Sequence, residues 1–140
     1  MDNPYQTPSA DPTQLGGQQP YSKPSLKELL FSFSGRIPRR TYWGLSIAIT
    51  VILYVVMFAL FGIDEEKEPP TLGLVLFFFL FIPFVWMSLA IGVKRWHDRG
   101  KSGWMILVSM IPLVGPIWTF VECGCLRGTM GPNEYGQDPT

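Results

Sequence analysis

The chain has 140 residues, in which 11 Lys and Arg balance 11 Asp and Glu, with 47% hydrophobic and 14% aromatic residues. Their placement argues against a water-soluble enzyme of any kind. Three windows carry no charge: 23 residues between Arg40 and Asp64, 25 between Glu68 and Lys94, and 20 between Lys101 and Glu122. Each is long enough to cross a bilayer core, which takes about 20 apolar residues as a helix, and what remains is too short for a soluble core of useful size.

Residues 1–24 hold five prolines, four glutamines and two glycines and almost no aliphatic side chain. Such a segment cannot offset its ordering entropy and reads as a disordered cytoplasmic tail. It is too polar for a signal peptide, and the first apolar window starts too late to be one. The membrane domain, 25–140, opens on a capping box, with Ser25 at the N-cap and Glu28 three residues on. Leu26, Leu29, Leu30 and Phe33 then share one face. This predicts a short amphipathic helix over 25–34, lying along the inner membrane surface and ended by Ser34-Gly35.

The first transmembrane helix is expected over 38–62, with Pro38 at its start, where a missing N–H costs nothing. Tyr42 and Trp43 mark its inner interface. The second is expected over 71–98, after Pro69-Pro70, with Pro83 bending it by freeing the carbonyl of Phe79. Gly100, Ser102 and Gly103 make the next turn. The third is expected over 104–123, interrupted by Pro112, Gly115 and Pro116, and a turn-rich exported tail covers 127–140. A re-entrant hairpin is the rival reading of the third window. Only two neighbouring spans would cover its backbone in a monomer, so a kinked crossing is preferred. The expected architecture is an all-α integral membrane protein: three transmembrane helices, the second and third kinked, preceded by a short interfacial amphipathic helix.

Lys23, Lys27, Arg36, Arg39 and Arg40 precede the first window, and Lys94, Arg95, Arg99 and Lys101 follow the second, leaving only Lys67 and Arg127 elsewhere. Basic residues beside membrane spans stay cytoplasmic. The N-terminus is therefore placed inside, the acidic loop 64–68 outside and, with three crossings, the C-terminus outside.

Four blocks carry a family likeness: residues 35–43 (GRIPRRTYW), 94–104 (KRWHDRGKSGW), 111–115 (IPLVG) and 128–139 (GTMGPNEYGQDP). In order and spacing the chain resembles, over roughly residues 29–139, domain-of-unknown-function family 805 (DUF805), the YhaH-like bacterial inner-membrane proteins. It departs from that pattern at Pro38, where a small polar residue is usual, and at Trp96, where leucine is. The resemblance implies an inner (plasma) membrane location and a multi-pass helical fold, and no particular reaction.

Two basic blocks share the inner face: Arg36, Arg39 and Arg40 entering the first span, and Lys94, Arg95, His97, Asp98 and Arg99 leaving the second. The small pairs Gly44/Ala48 and Ser88/Gly92 are expected to let these helices approach closely there. Asp98 is the one carboxylate near the two blocks, so their excess charge must find anions elsewhere. Anionic lipid headgroups are the obvious supply, at about 1 kcal/mol per basic residue. Those eight residues form the candidate site for a headgroup or a partner. The alternative is that the same charges only set topology and cap helix ends.

His97 and Asp98 come with no nucleophile and no further ligands, so no catalytic residue, metal or cofactor is expected. Cys123 and Cys125 are too few for a metal site and too close for an unstrained disulfide. Glu122 reads as a headgroup-level acid near the outer surface, beside Arg127. Nucleic-acid binding is not expected, because the basic patch lies against the membrane. The leading function is a non-enzymatic module binding membrane lipids or protein partners through its basic cytoplasmic face, with self-association into a homo-oligomer allowed. The alternative is a small transporter or channel-forming oligomer, although Ser46, Thr50, Ser88, Ser109 and Thr119 are scattered rather than aligned.

Overall fold

The computed structural model describes residues 21–62 and 71–139. Most of the tail 1–24 and all of the acidic loop 64–68 lie outside the described residues. The first helix, α1 (Leu26–Phe31), carries the full capping box: the Glu28 amide donates to Ser25 Oγ at 3.3 Å, and the Ser25 amide donates to the Glu28 carboxylate at 2.8 Å. Two long helices follow, α2 (Arg39–Phe61, 23 residues) with Pro38 at its N-cap and α3 (Thr71–Asp98, 28 residues), which runs unbroken through Pro83. Both are long and apolar enough to cross a membrane.

They pack side by side, and α1 lies against α3. Ile37, Ile49 and Ile91 form a small buried cluster, which Leu29, Leu30, Tyr42, Leu45, Phe84 and Met87 extend. Most other large apolar side chains of α2 and α3, such as Val51, Tyr54, Phe58, Phe78, Phe79 and Ile82, face outward. Helices that are apolar all round and still expose those side chains fit a hydrocarbon solvent. The small pairs do not join α2 to α3 as expected. Gly44 and Ala48 are exposed, with open space beside Gly44, whereas Gly92 faces Ile106. Close approach at Gly92 therefore serves the third window.

That window, expected as a third kinked crossing, forms no third membrane-length helix among the described residues. It folds as a 3-10 helix (Gly103–Met110), a reversal, a short α4 (Val114–Thr119) and a π-helical turn (Phe120–Cys125). At about 2.0 Å per residue the eight-residue first arm reaches roughly 16 Å, half of a bilayer core. The reversal is a γ-turn: Leu113 takes φ 65° and ψ −55°, and the Val114 amide donates to the Pro112 carbonyl at 2.8 Å. Gly115 packs directly on the backbone of Val108 and Ser109, so a Cβ there would collide with the opposite arm. The arms enter and leave at the same end of α3: Gly103 adjoins Val93 and His97, and the Cys123 carbonyl accepts from Arg95. The window is thus a hairpin. The tail after Leu126 returns to the end of the bundle where α2 begins.

Candidate functional site

The site lies where the start of α2, the end of α3, the return of the hairpin and the tail meet. Its centre is Asp98, 1% exposed, with Arg36 (4%) and Arg95 (0%) on either side. Arg36 meets one carboxylate oxygen through Nε at 3.2 Å and Nη2 at 3.1 Å, and Arg95 Nη1 donates to the other. The remaining donors of both arginines go to backbone carbonyls. Arg36 donates to Thr129 (2.6 Å), Gly131 (2.7 Å) and Gly136 (3.3 Å), and Arg95 donates to Cys123 (2.7 Å) and Leu126. Such forked, charge-assisted bonding suits a planar guanidinium and not an ammonium.

The tail is shaped to deliver those carbonyls. Thr129 donates its amide to the Asp98 carbonyl at 2.8 Å, Asn133 Nδ2 donates to the His97 carbonyl at 2.9 Å, and a tight turn joins Asn133 and Gly136. The Gly131 amide donates to the Asp138 carboxylate at 2.8 Å. Gly128 lies so close to the Asp98 carboxylate that no Cβ fits between them.

The other predicted residues scatter around this node. Lys94 donates to the carbonyls of Glu28 and Leu29 at 2.7 Å each and so secures the end of α1. His97 does not pair with Asp98: its Nδ1 faces the Gly35 carbonyl at 3.3 Å, and its ring stacks on Tyr135 with centroids 3.9 Å apart. Arg99 Nε and Lys101 Nζ donate to Glu122 at 3.1 Å and 2.6 Å. The hydrogen bond from Lys101, followed by that from Arg99, holds the Glu122 carboxyl below its usual range. Glu122 therefore belongs to the basic end, and its assignment to the opposite surface is corrected. Tail carbonyls, Asp98 and Glu122 take up Arg36, Arg95, Arg99 and Lys101, so of the two basic blocks only Arg39 and Arg40 keep their charge at the surface.

Among the described residues, the exposed cations are Lys23 and Lys27 around α1 and three arginines, Arg39, Arg40 and Arg127. Arg39 donates to the Cys125 carbonyl at 3.3 Å. With Pro38, Gly128 and Pro139 these three arginines line a groove of about 440 Å³ whose inner wall includes Asp98. Arg127 and the tail carbonyls were not among the candidates, since the third crossing put them on the far side. The density of Gly, Asn and Pro over 128–139 marks a built turn, but not what it folds against. Elsewhere Ser46, Thr50, Ser88, Ser109 and Thr119, scattered along the sequence, line one common cavity.

Fold and site define a helical membrane protein: two membrane-length helices and a hairpin, tied at one end by a buried Arg–Asp–Arg node and a folded-back tail. The chain belongs to the family described as protein of unknown function (DUF805), whose model matches residues 30–137. It is 33% identical over 109 residues to the inner membrane protein YhaI of Escherichia coli K12, covering 76% of this chain and 85% of that one. It is also 31% identical over 110 residues to the inner membrane protein YhaH (76% and 86%), and 29% identical over 141 residues to the uncharacterized protein YiiR (81% and 90%), both of the same strain. No solved structure matches the chain.

Proposed function

We propose that this chain is a non-enzymatic inner-membrane module that holds an anionic group, foremost a lipid headgroup phosphate, in the groove between Arg39, Arg40 and Arg127. The observation that carries this reading is where unspent charge lies. Arg36 and Arg95 are consumed inside, while three exposed guanidiniums surround one groove. Arg39 and Arg40 also occupy the first turn of a 23-residue helix whose N-cap, Pro38, makes no side-chain hydrogen bond. Free amides and the positive end of the helix dipole favour an anion at that place, where two cations alone would be unfavourable. The Asp98 charge is matched by Arg36 and Arg95, so it does not cancel the groove.

The same reading orients the molecule. With the tail returned to the basic end, ten of the eleven Lys and Arg lie there, and only Lys67 falls in the segment joining α2 to α3. The positive-inside rule then supports two crossings with both described termini cytoplasmic. A transporter would call for polar side chains along the whole span, and those of α2 and α3 gather at one level instead.

Native mass spectrometry of the gently extracted protein tests the groove. Wild type is expected to retain phosphatidylglycerol over phosphatidylcholine. Arg39→Gln/Arg40→Gln/Arg127→Gln should lose about 3 kcal/mol, or about 100-fold in retention, at three basic residues of about 1 kcal/mol each. Equal retention by both proteins, or retention of a protein partner in place of lipid, overturns the proposal.

A further inference from the structure

We infer that the cleft enclosed by α2, α3 and the hairpin is a second binding site, separate from the arginine groove and independent of it. It takes an uncharged, oxygen-bearing guest such as the glycerol-ester region of a lipid or a small polyol. Six hydroxyl-bearing residues line this cavity of about 280 Å³: Tyr42, Ser46 and Thr50 from α2, Ser88 from α3, Ser109 from the 3-10 helix, whose hydroxyl donates to the Ile106 carbonyl, and Thr119 from α4. No ionised side chain lines it, so its chemistry selects neutral guests.

Two buried polar atoms of residues that line it have no hydrogen-bond partner among the described residues: the indole N–H of Trp96 and the hydroxyl of Thr119. Trp96 is 0% exposed, and its ring face is covered by the Lys101 ammonium 5.7 Å from the centroid. An indole nitrogen can only donate, so the missing partner is an acceptor. A buried polar group left without one costs free energy that a bound acceptor recovers.

Access fits a guest from the bilayer. Thr50 and Ser88 are exposed, whereas Trp96 and Cys123 are buried at the opposite end of the same cavity. The hairpin roof is kept thin by Gly92, whose position leaves room for the Ile106 side chain between α3 and the 3-10 helix. The volume is several times the roughly 30 Å³ that one water occupies in the liquid, so a multi-atom group fits.

The indole N–H resonance of Trp96 reports occupancy directly. Uniformly ¹⁵N-labelled full-length protein is placed in nanodiscs of ether-linked phosphatidylcholine, which has no carbonyl oxygen, and the peak is assigned by its loss in Trp96→Phe. A short-chain diacylglycerol ester or glycerol is then titrated in. A saturable shift of the Trp96 peak, with the other indole peaks unmoved, is expected. A response to the ester alone identifies a lipid source, and a response to glycerol identifies a polyol. Thr119→Val keeps the shape and removes one hydroxyl, and should weaken the response about tenfold while leaving the spectrum folded. If neither probe moves the peak and the N–H simply exchanges with water, the cleft is a hydrated cavity and the inference fails. A titration unchanged in Thr119→Val overturns it as well.

Discussion

Asp98 is held between Arg36 and Arg95 at 1% exposure, and removing it costs more than the attraction it contributes. Desolvating three charges offsets most of their mutual attraction, but deleting one partner strands the others in a dry site. Asp98→Asn should therefore destabilise by about 3–5 kcal/mol, read as thermal unfolding of the detergent-extracted protein. Arg36→Lys should also fail to preserve stability, because an ammonium cannot reach the carboxylate and three tail carbonyls together. Arg40→Gln serves as the control, since Arg40 is exposed and should leave stability within about 0.5 kcal/mol. Glu122 gives a pH signature. Its carboxyl is lowered from 4.5, chiefly by Lys101, so its stabilisation is complete above the ordinary value and is lost as pH falls through the lowered one. The unfolding difference between wild type and Glu122→Gln should be constant near neutrality and shrink below about pH 4, with a size of about 1 kcal/mol for partly exposed pairs. A difference that grew on acidification would contradict the pairing.

At the scale of elements, the hairpin depends on Gly115, where the two arms touch backbone to backbone. Gly115→Ala should cost about 1–3 kcal/mol by overpacking and loosen the return arm, read as lower thermal stability together with faster exchange of the Phe120–Cys125 amides. Equal stability and exchange would mean that the arms are not in contact. The two long helices were legible because each is a charge-free apolar window, and α1 because a capping box announces it. Pro112, Gly115 and Pro116 announced a break in the third window but not its angle. The reversal needs a positive φ at Leu113, a conformation that no propensity assigns to leucine. It also needs the carbonyls of the returning arm to find donors far away in sequence: Arg95 for Cys123, Trp43 for Gly124 and Arg39 for Cys125. Both basic blocks of the site were legible as charge. Their division into buried ties and exposed guanidiniums was not, because it depends on where the tail lands.

Across the whole molecule, one choice of topology decides the sidedness of the tail, and the native cysteines can report it. Cys125 is exposed and free, while Cys123 is buried, so one thiol should react with a membrane-impermeant maleimide in the folded protein. It lies beside Arg39 at the basic end, where Arg36, Arg95 and Asp98 bind the tail. A hairpin returns this thiol to the side where α2 starts, whereas a third crossing would put it on the opposite face. In intact bacterial cells Cys125 should therefore resist labelling, and it should become reactive once the inner membrane is opened, with Cys125→Ser showing no labelling in either state. Two crossings place ten of eleven basic residues inside, against nine for three crossings, so charge supports the hairpin only weakly. The stronger argument is energetic. An outward tail would pull Thr129, Gly131 and Gly136 away from Arg36 and forfeit the charge-assisted bonds its guanidinium makes to their carbonyls. Labelling of intact cells would overturn the cytoplasmic placement of the tail and of the basic end that it packs against.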